Sequence, residues 1–370
     1  MTLLERIREQ IVNQGAIAFS DFMQQALYAP NLGYYSAGLQ KFGIGGDFVT
    51  APELTPLFGY TLANQCQQIL MELTQPIVFE FGAGSGQLCV DLLTRLEVLN
   101  CLPVEYHILE VSSSLRQRQQ ALIALKIPHL ANRVQWLSTW PTTPFQGVVL
   151  ANEVLDAMPV ERFLQTSNGL LQSFITLNEQ GEFVESFRPC TNQRLETYVQ
   201  AAVPSALVPY QSEVNLFIND WLQQCFTMLE KGALFLVDYG YPRHEFYHPD
   251  RDHGTVMCHY QHRAHPNPLL HVGEQDITAH VDFTHVAEAG FAAGFHVAGY
   301  TNQASFLLAN GLLSLMSNMT NEHERIKAGQ AVKTLIQPSE MGELFKVIAL
   351  TKALDLDING FQLQDKRSSL

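Results

Sequence analysis

Residues 77–98 read IVFEFGAGSGQLCVDLLTRLEV. Five residues of strand-forming character end at Phe81, three glycines follow at positions 82, 84 and 86, and leucines then recur at helical spacing. Strand, glycine turn, helix is the opening of a βαβ unit, because glycine lets the backbone turn tightly and approach a ligand. A dinucleotide-binding loop would read G-x-G-x-x-G. Counted from Gly82 and Gly84, its third glycine would fall at position 87, which is Gln87; the glycine sits one residue earlier, at Gly86. A nicotinamide or flavin dinucleotide therefore loses on spacing.

Working outward, the same alternation continues. EYHILEV (105–111) reads as a strand, 115–125 as a helix rich in Arg and Gln, RVQWL (133–137) and GVVLANEV (147–154) as further strands. KGALFLVDYG (231–240) and LFKVIALTK (344–352) supply two more apolar runs. Apolar strands separated by helices predict an α/β fold: a mostly parallel Rossmann-like sheet with helices on both faces. The N-terminal stretch predicts an amphipathic helix, with Leu3, Ile7 and Ile11 on one face. Between 161 and 212 the pattern becomes two-residue alternation broken by turn signals at Ser167-Asn168-Gly169 and Asn178–Gly181, which predicts antiparallel strands. The expected organisation is an N-terminal extension and cofactor-lid loop (1–60), a core (61–160 and 213–352), an inserted β segment (161–212) and a His-rich substrate-side insertion (241–285) within the core.

Composition narrows the function. The chain has 370 residues, 46% apolar and 16% charged, with a net charge of −14. That is globular composition, and its acidity disfavours nucleic acid or anionic membrane as partner. The six cysteines contain no C-x-x-C pair, which favours reduced thiols over a disulfide framework. No apolar run approaches the ~20 residues of a membrane span. The expectation is a cytoplasmic protein without membrane insertion, with its oligomeric state open and a homodimer included. Histidines crowd between His244 and His285, but no metal-ligand motif accompanies them, and no metal is expected.

The arrangement E-x-G-x-G-x-G, with Glu80 two residues before Gly82, is similar to the loop of class I S-adenosylmethionine-dependent methyltransferases, and Glu110 ends the next strand, where an acid can accept from both ribose hydroxyls. Three longer segments sharpen this. GDFVTAPELTPLFG (46–59), ANEVLDAMPVERF (151–163) and GEQDITAHVDFT (273–284), followed by Met341-Gly-Glu-x-Phe345, resemble the motifs of the MidA-like methyltransferase family. That family includes a mitochondrial arginine methyltransferase of complex I assembly. The resemblance implies S-adenosyl-L-methionine as cofactor, bound by Gly82, Gly84, Gly86, Glu80, Glu110 and Asn152, with Asp47, Thr50 and Glu53 folding over it. It also implies a protein arginine as methyl acceptor, a complex I subunit being one candidate. The rivals are a small-molecule or other side-chain acceptor, and a catalytically silent assembly protein on the same fold.

Guanidinium is a reluctant nucleophile because it stays protonated. Carboxylates that grip it by paired hydrogen bonds can orient it and receive the released proton. Glu153 and Asp156, just past a strand end, are the expected catalytic pair; a helix beginning there would put both on one face. His280 is the third candidate, since an imidazole can take a proton near neutral pH. Trp136 could contact an adenine ring or belong to the core.

Overall fold

In the structure, a computed structural model describing residues 1–37 and 50–370, the central sheet has seven main strands in one continuous order. From one edge they are His296–Asn302, Phe345–Lys352, Leu229–Tyr241, Phe145–Asn152, Ile77–Phe81, Glu105–Leu109 and Val134–Leu137. Five neighbours run parallel, and Phe345–Lys352 is antiparallel to both strands beside it. The chain enters at Ile77–Phe81, steps outward to Val134–Leu137, and returns to the opposite side at Phe145–Asn152. The carboxyl ends of Ile77–Phe81 and Phe145–Asn152 therefore flank the point where strand order reverses, the crevice where α/β sheets bind ligands.

These strands are nearly continuous apolar runs because both sheet faces are covered. On one face, helices Pro56–Leu70 and Gln87–Val98 pack Leu62, Cys66, Leu92 and Leu93 onto Val78, Val148 and Phe235, all essentially inaccessible. On the other, helices Ile218–Met228 and Phe283–Ala293 bury Leu222, Val286 and Phe283 against Phe79, Val149 and Leu234. The helix starts follow capping chemistry: the Thr55 hydroxyl accepts from the Leu57 amide ahead of Pro56, and the Asp282 carboxylate accepts from the His285 amide.

A second, antiparallel sheet is built from Glu161–Thr166, Gly169–Leu177, Phe183–Pro189 and Tyr210–Val214. Its last strand runs past residue 212, because Glu161 pairs with Val214 and Arg162 with Glu213. The two-residue strand Ile17–Ala18 joins it from the N-terminal region, pairing Ile17 with Ile175 and Ala18 with Phe174. The helix Leu3–Gln14 buries Leu3, Ile7 and Ile11, the face its periodicity predicts. A small three-stranded sheet in the His-rich region, ordered Arg263–His265, Met257–Tyr260, Asp276–Thr278, delivers Asp276 and Thr278 to the central crevice.

Candidate active site

The glycine turn begins the site. Gly82, Gly84 and Gly86 all adopt left-handed backbone angles, with φ of 59°, 54° and 89°. Only glycine enters that region freely, and a Cβ on Gly86 would meet Gln119 at 3.3 Å. Below the turn, Glu80 is buried and its Oε2 accepts from the Tyr106 hydroxyl at 2.7 Å. Burial raises its carboxyl to about 7, against the lowering effect of that hydrogen bond.

Glu110 is equally buried but well supplied with donors. Its Oε1 accepts from the Ser112 amide at 2.8 Å, and its Oε2 accepts from the Gln119 amide at 3.1 Å. Gln119 also donates to the Gly84 carbonyl and accepts from the Trp136 indole, so one buried side chain ties the turn to both neighbouring strands. Trp136 works through Gln119 and does not line the cavity; its position beside the core, rather than against a ligand, is the outcome for that residue.

Glu80, the glycine turn and Glu110 line one end of a cavity of about 280 Å³. Thr50 and Glu53 close over it from the N-terminal side, with the Ser85 hydroxyl donating to Glu53. Asp47 lies outside the described residues. At the other end are Glu153 and Asp156. Their meeting is not helical as the sequence suggested. The strand ends at Asn152, Glu153 takes a left-handed φ of 51°, and residues 153–158 form a turn. The Glu153 amide donates to the Val237 carbonyl at 2.9 Å, and the Leu155 and Asp156 amides donate to Asp238 Oδ2 at 3.0 and 3.3 Å. Buried Asp238 thus folds the turn so that both acids face one space.

Electrostatics at this end are severe. Burial, then the negative charge of Asp156, push the Glu153 carboxyl up to about 8. Burial pushes Asp156 up to about 6, opposed by a hydrogen bond from the Tyr239 hydroxyl. Asp238 lies well above the ordinary range because it is buried beside Asp156 and Glu153. Among the described residues no cation stands beside Glu153 or Asp156. Two buried atoms, Asp156 Oδ1 and Asn152 Oδ1, have no hydrogen-bond partner among the described residues, although the Ala157 and Asp156 amides help to lower the Asp156 carboxyl.

Two residues that sequence reasoning passed over complete the wall. Tyr28 and Tyr35 stack at 5.5 Å; the Tyr28 hydroxyl donates to the Ala157 carbonyl, and Tyr35 donates to both oxygens of Asp276 at 3.0 and 2.9 Å. His280, the third candidate, stands apart from them. It does not line this cavity but sits behind it, its ring edge-on to Tyr239 at 5.2 Å, and burial lowers its imidazole to about 4. Neutral and screened by Tyr239, it makes no contact with the space between the carboxylates. Among the described residues no group of three or more His, Cys, Asp or Glu is placed to hold a metal ion.

Residues 61–301 match the family described as "Putative S-adenosyl-L-methionine-dependent methyltransferase". The protein arginine methyltransferase NDUFAF7 of Danio rerio, a mitochondrial protein, is 27% identical over 94% of this chain and 86% of its own. The human protein of that name is 26% identical over 99% of this chain and 87% of its own. A crystal structure from Burkholderia thailandensis with S-adenosyl-homocysteine bound superposes with a TM-score of 0.95, at 41% identity, covering 100% of this chain and 96% of the other. The cytoplasmic location expected from sequence is corrected here, since these curated relatives are named as mitochondrial. Match, fold and crevice agree, and the chain belongs to this family of S-adenosylmethionine-dependent methyltransferases.

Proposed function

We propose that this methyltransferase acts on arginine in a protein substrate, with the acceptor guanidinium held at the Glu153–Asp156 end of the cavity. The single observation that carries the reading is the pair itself: two carboxylates forced together in a cavity, lacking a cation of their own. Such a site is unfavourable until a cation enters, and a planar guanidinium can satisfy two carboxylates at once. The curated relatives named as protein arginine methyltransferases support the same acceptor.

The residues present fit the cofactor. Gly82, Gly84 and Gly86 keep side chains out of the turn, Glu80 and Glu110 offer carboxylate oxygens, and Asn152 carries an oxygen without a partner. Thr50 and Glu53 would cover it from the N-terminal side, as Asp47 would by resemblance. S-adenosylmethionine supplies a methyl group on a positively charged sulfur. The chain's own part is to orient the acceptor nitrogen, exclude water and take a proton. When a protonated guanidinium gains a methyl on nitrogen, one proton must leave. Asp156, at about 6, is ionised near neutral pH and suited to receive it; Glu153, at about 8, keeps its own proton until a bound guanidinium favours the ionised form.

The test is to incubate the protein with methyl-labelled cofactor and a cell lysate, then locate the label by mass spectrometry, complex I subunits being the first peptides to inspect. Label on arginine is the expected result. Label confined to small molecules or to other side chains would sink the arginine assignment.

A further inference from the structure

Asp156 is held by its neighbours in an uneven way. One carboxylate oxygen, Oδ2, accepts from the Tyr239 hydroxyl, while Oδ1 is buried and has no hydrogen-bond partner among the described residues. The Tyr239 phenol is itself fixed on every side. Its ring is edge-on to Phe345 at 5.4 Å and to His280 at 5.2 Å. Its amide donates to Asp238 Oδ1 at 2.9 Å, the same carboxylate whose other oxygen holds the 153–158 turn. A rotor this constrained can do little except donate toward Asp156.

We propose that Tyr239 is a positioning residue for methyl transfer, holding Oδ2 of Asp156 so that Oδ1 is left to the acceptor and the carboxylate stays ionised to receive its proton. The proposal rests on the arginine reading for the identity of the acceptor, but not for the Tyr239–Asp156 contact. Asp156 is faced by Glu153 from its own turn, by Asp238 and Tyr239 from the strand Leu229–Tyr241, by Asp276 and Thr278 from the small sheet, and by Tyr28 and Tyr35 from the N-terminal region. His280 stands behind Tyr239, held neutral by burial and by Arg251 and Lys346. No cation stands in that shell among the described residues, and burial disfavours an ionised Asp156. The Tyr239 hydroxyl is the side-chain donor that acts against that burial. Tyr239 is not itself the base, because burial and the adjacent carboxylates raise its phenol well above the usual range.

The experiment is a carboxyl-carbon NMR titration of Asp156 in cofactor-loaded protein labelled at aspartate, with the resonance assigned through Asp156→Asn. In Tyr239→Phe, which keeps the ring and its packing, the Asp156 midpoint should rise by about one pH unit. With an acceptor peptide, the acid limb of kcat should move up by the same amount and turnover should recover at alkaline pH, while cofactor affinity stays within about twofold. Superimposable titrations of wild type and Tyr239→Phe would overturn the proposal, as would a uniform loss of kcat with an unshifted limb. If Tyr239→Phe fails to fold, Phe345→Leu replaces it: loosening the ring packed edge-on against Tyr239 weakens the bond to Asp156 and should move the midpoint the same way by less. The titration needs no acceptor, so label found on something other than arginine would end the arginine reading and leave this measurement to decide Tyr239 alone.

Discussion

The two ends of the cavity are both acidic, yet they are built on opposite principles. At the glycine-turn end each carboxylate is already answered: Glu80 by Tyr106, Glu110 by the Ser112 amide and Gln119. At the Glu153 end Asn152 donates to Glu153 and Tyr239 to Asp156, yet the acids repel one another and a buried oxygen of Asp156 has no partner among the described residues. Satisfied polar groups make a rigid, specific socket. Unsatisfied ones store unfavourable energy that an incoming cation releases. A ligand common to every turnover suits the first kind of site, and a cationic acceptor suits the second.

The sharpest way to break that contrast is Glu153→Gln. Turnover should fall roughly 10²–10⁴-fold, since charge and proton acceptance are lost together, while cofactor affinity moves by less than about threefold. Parallel loss of both, read by single-turnover assay and calorimetry on one preparation, would reassign Glu153 to the cofactor. At the other end Glu110→Ala should weaken cofactor binding by about 2–4 kcal/mol, from charge-assisted bonds of about 1.5–3 kcal/mol each that do not simply add. Its melting temperature should drop as well, because the Ser112 amide and Gln119 lose an acceptor. Gly86→Val strains a left-handed position and crowds Gln119, so about 1–3 kcal/mol of cofactor affinity should go, with the far-ultraviolet dichroism kept. Unchanged binding would mean that the turn is not the cradle.

The last effect is on stability. Folded Glu153 holds its proton up to about pH 8, against 4.5 in an ordinary environment, so the folded chain binds more protons across that window. Cofactor-free protein should therefore lose stability as pH rises from about 5 to 8, and Glu153→Gln should flatten that slope. Buried His280 and His285, both lowered to about 4, act in the reverse sense: they cost stability as pH falls from about 6.5 toward 4. A Glu153→Gln melting curve with an unaltered alkaline slope would show that Glu153 does not carry the strain.

The glycine-turn end of the candidate site was legible in sequence because its parts lie close together in the chain and repeat a periodic strand–turn–helix pattern. Glu153 and Asp156 were legible as residues but not as geometry: a left-handed Glu153 is dictated by Asp238, distant in sequence and silent in any local pattern. Tyr28 and Tyr35 gave no local signal, since their meaning depends on Ala157 and Asp276. Tyr239 did have one, at the carboxyl end of an apolar strand where ligands collect. The place of His280 was not legible, because a motif fixes neighbours along the chain, not which side of a tyrosine ring a side chain occupies. The edge strand His296–Asn302 escaped notice for the mixed polarity of HVAGYTN.

The pairing of Ile17–Ala18 with Phe174 and Ile175 also sets an order of assembly. During synthesis the N-terminal segment that carries Tyr28 and Tyr35 emerges first, but its strand partner follows only after the glycine turn and the first four sheet strands. The aromatic wall must wait, its apolar residues exposed, until the inserted hairpin arrives. Contacts so distant along the chain form slowly, and waiting apolar surface invites chaperones or aggregation. The nascent chain can thus gather its glycine-turn strands well before the far wall of its cavity is built.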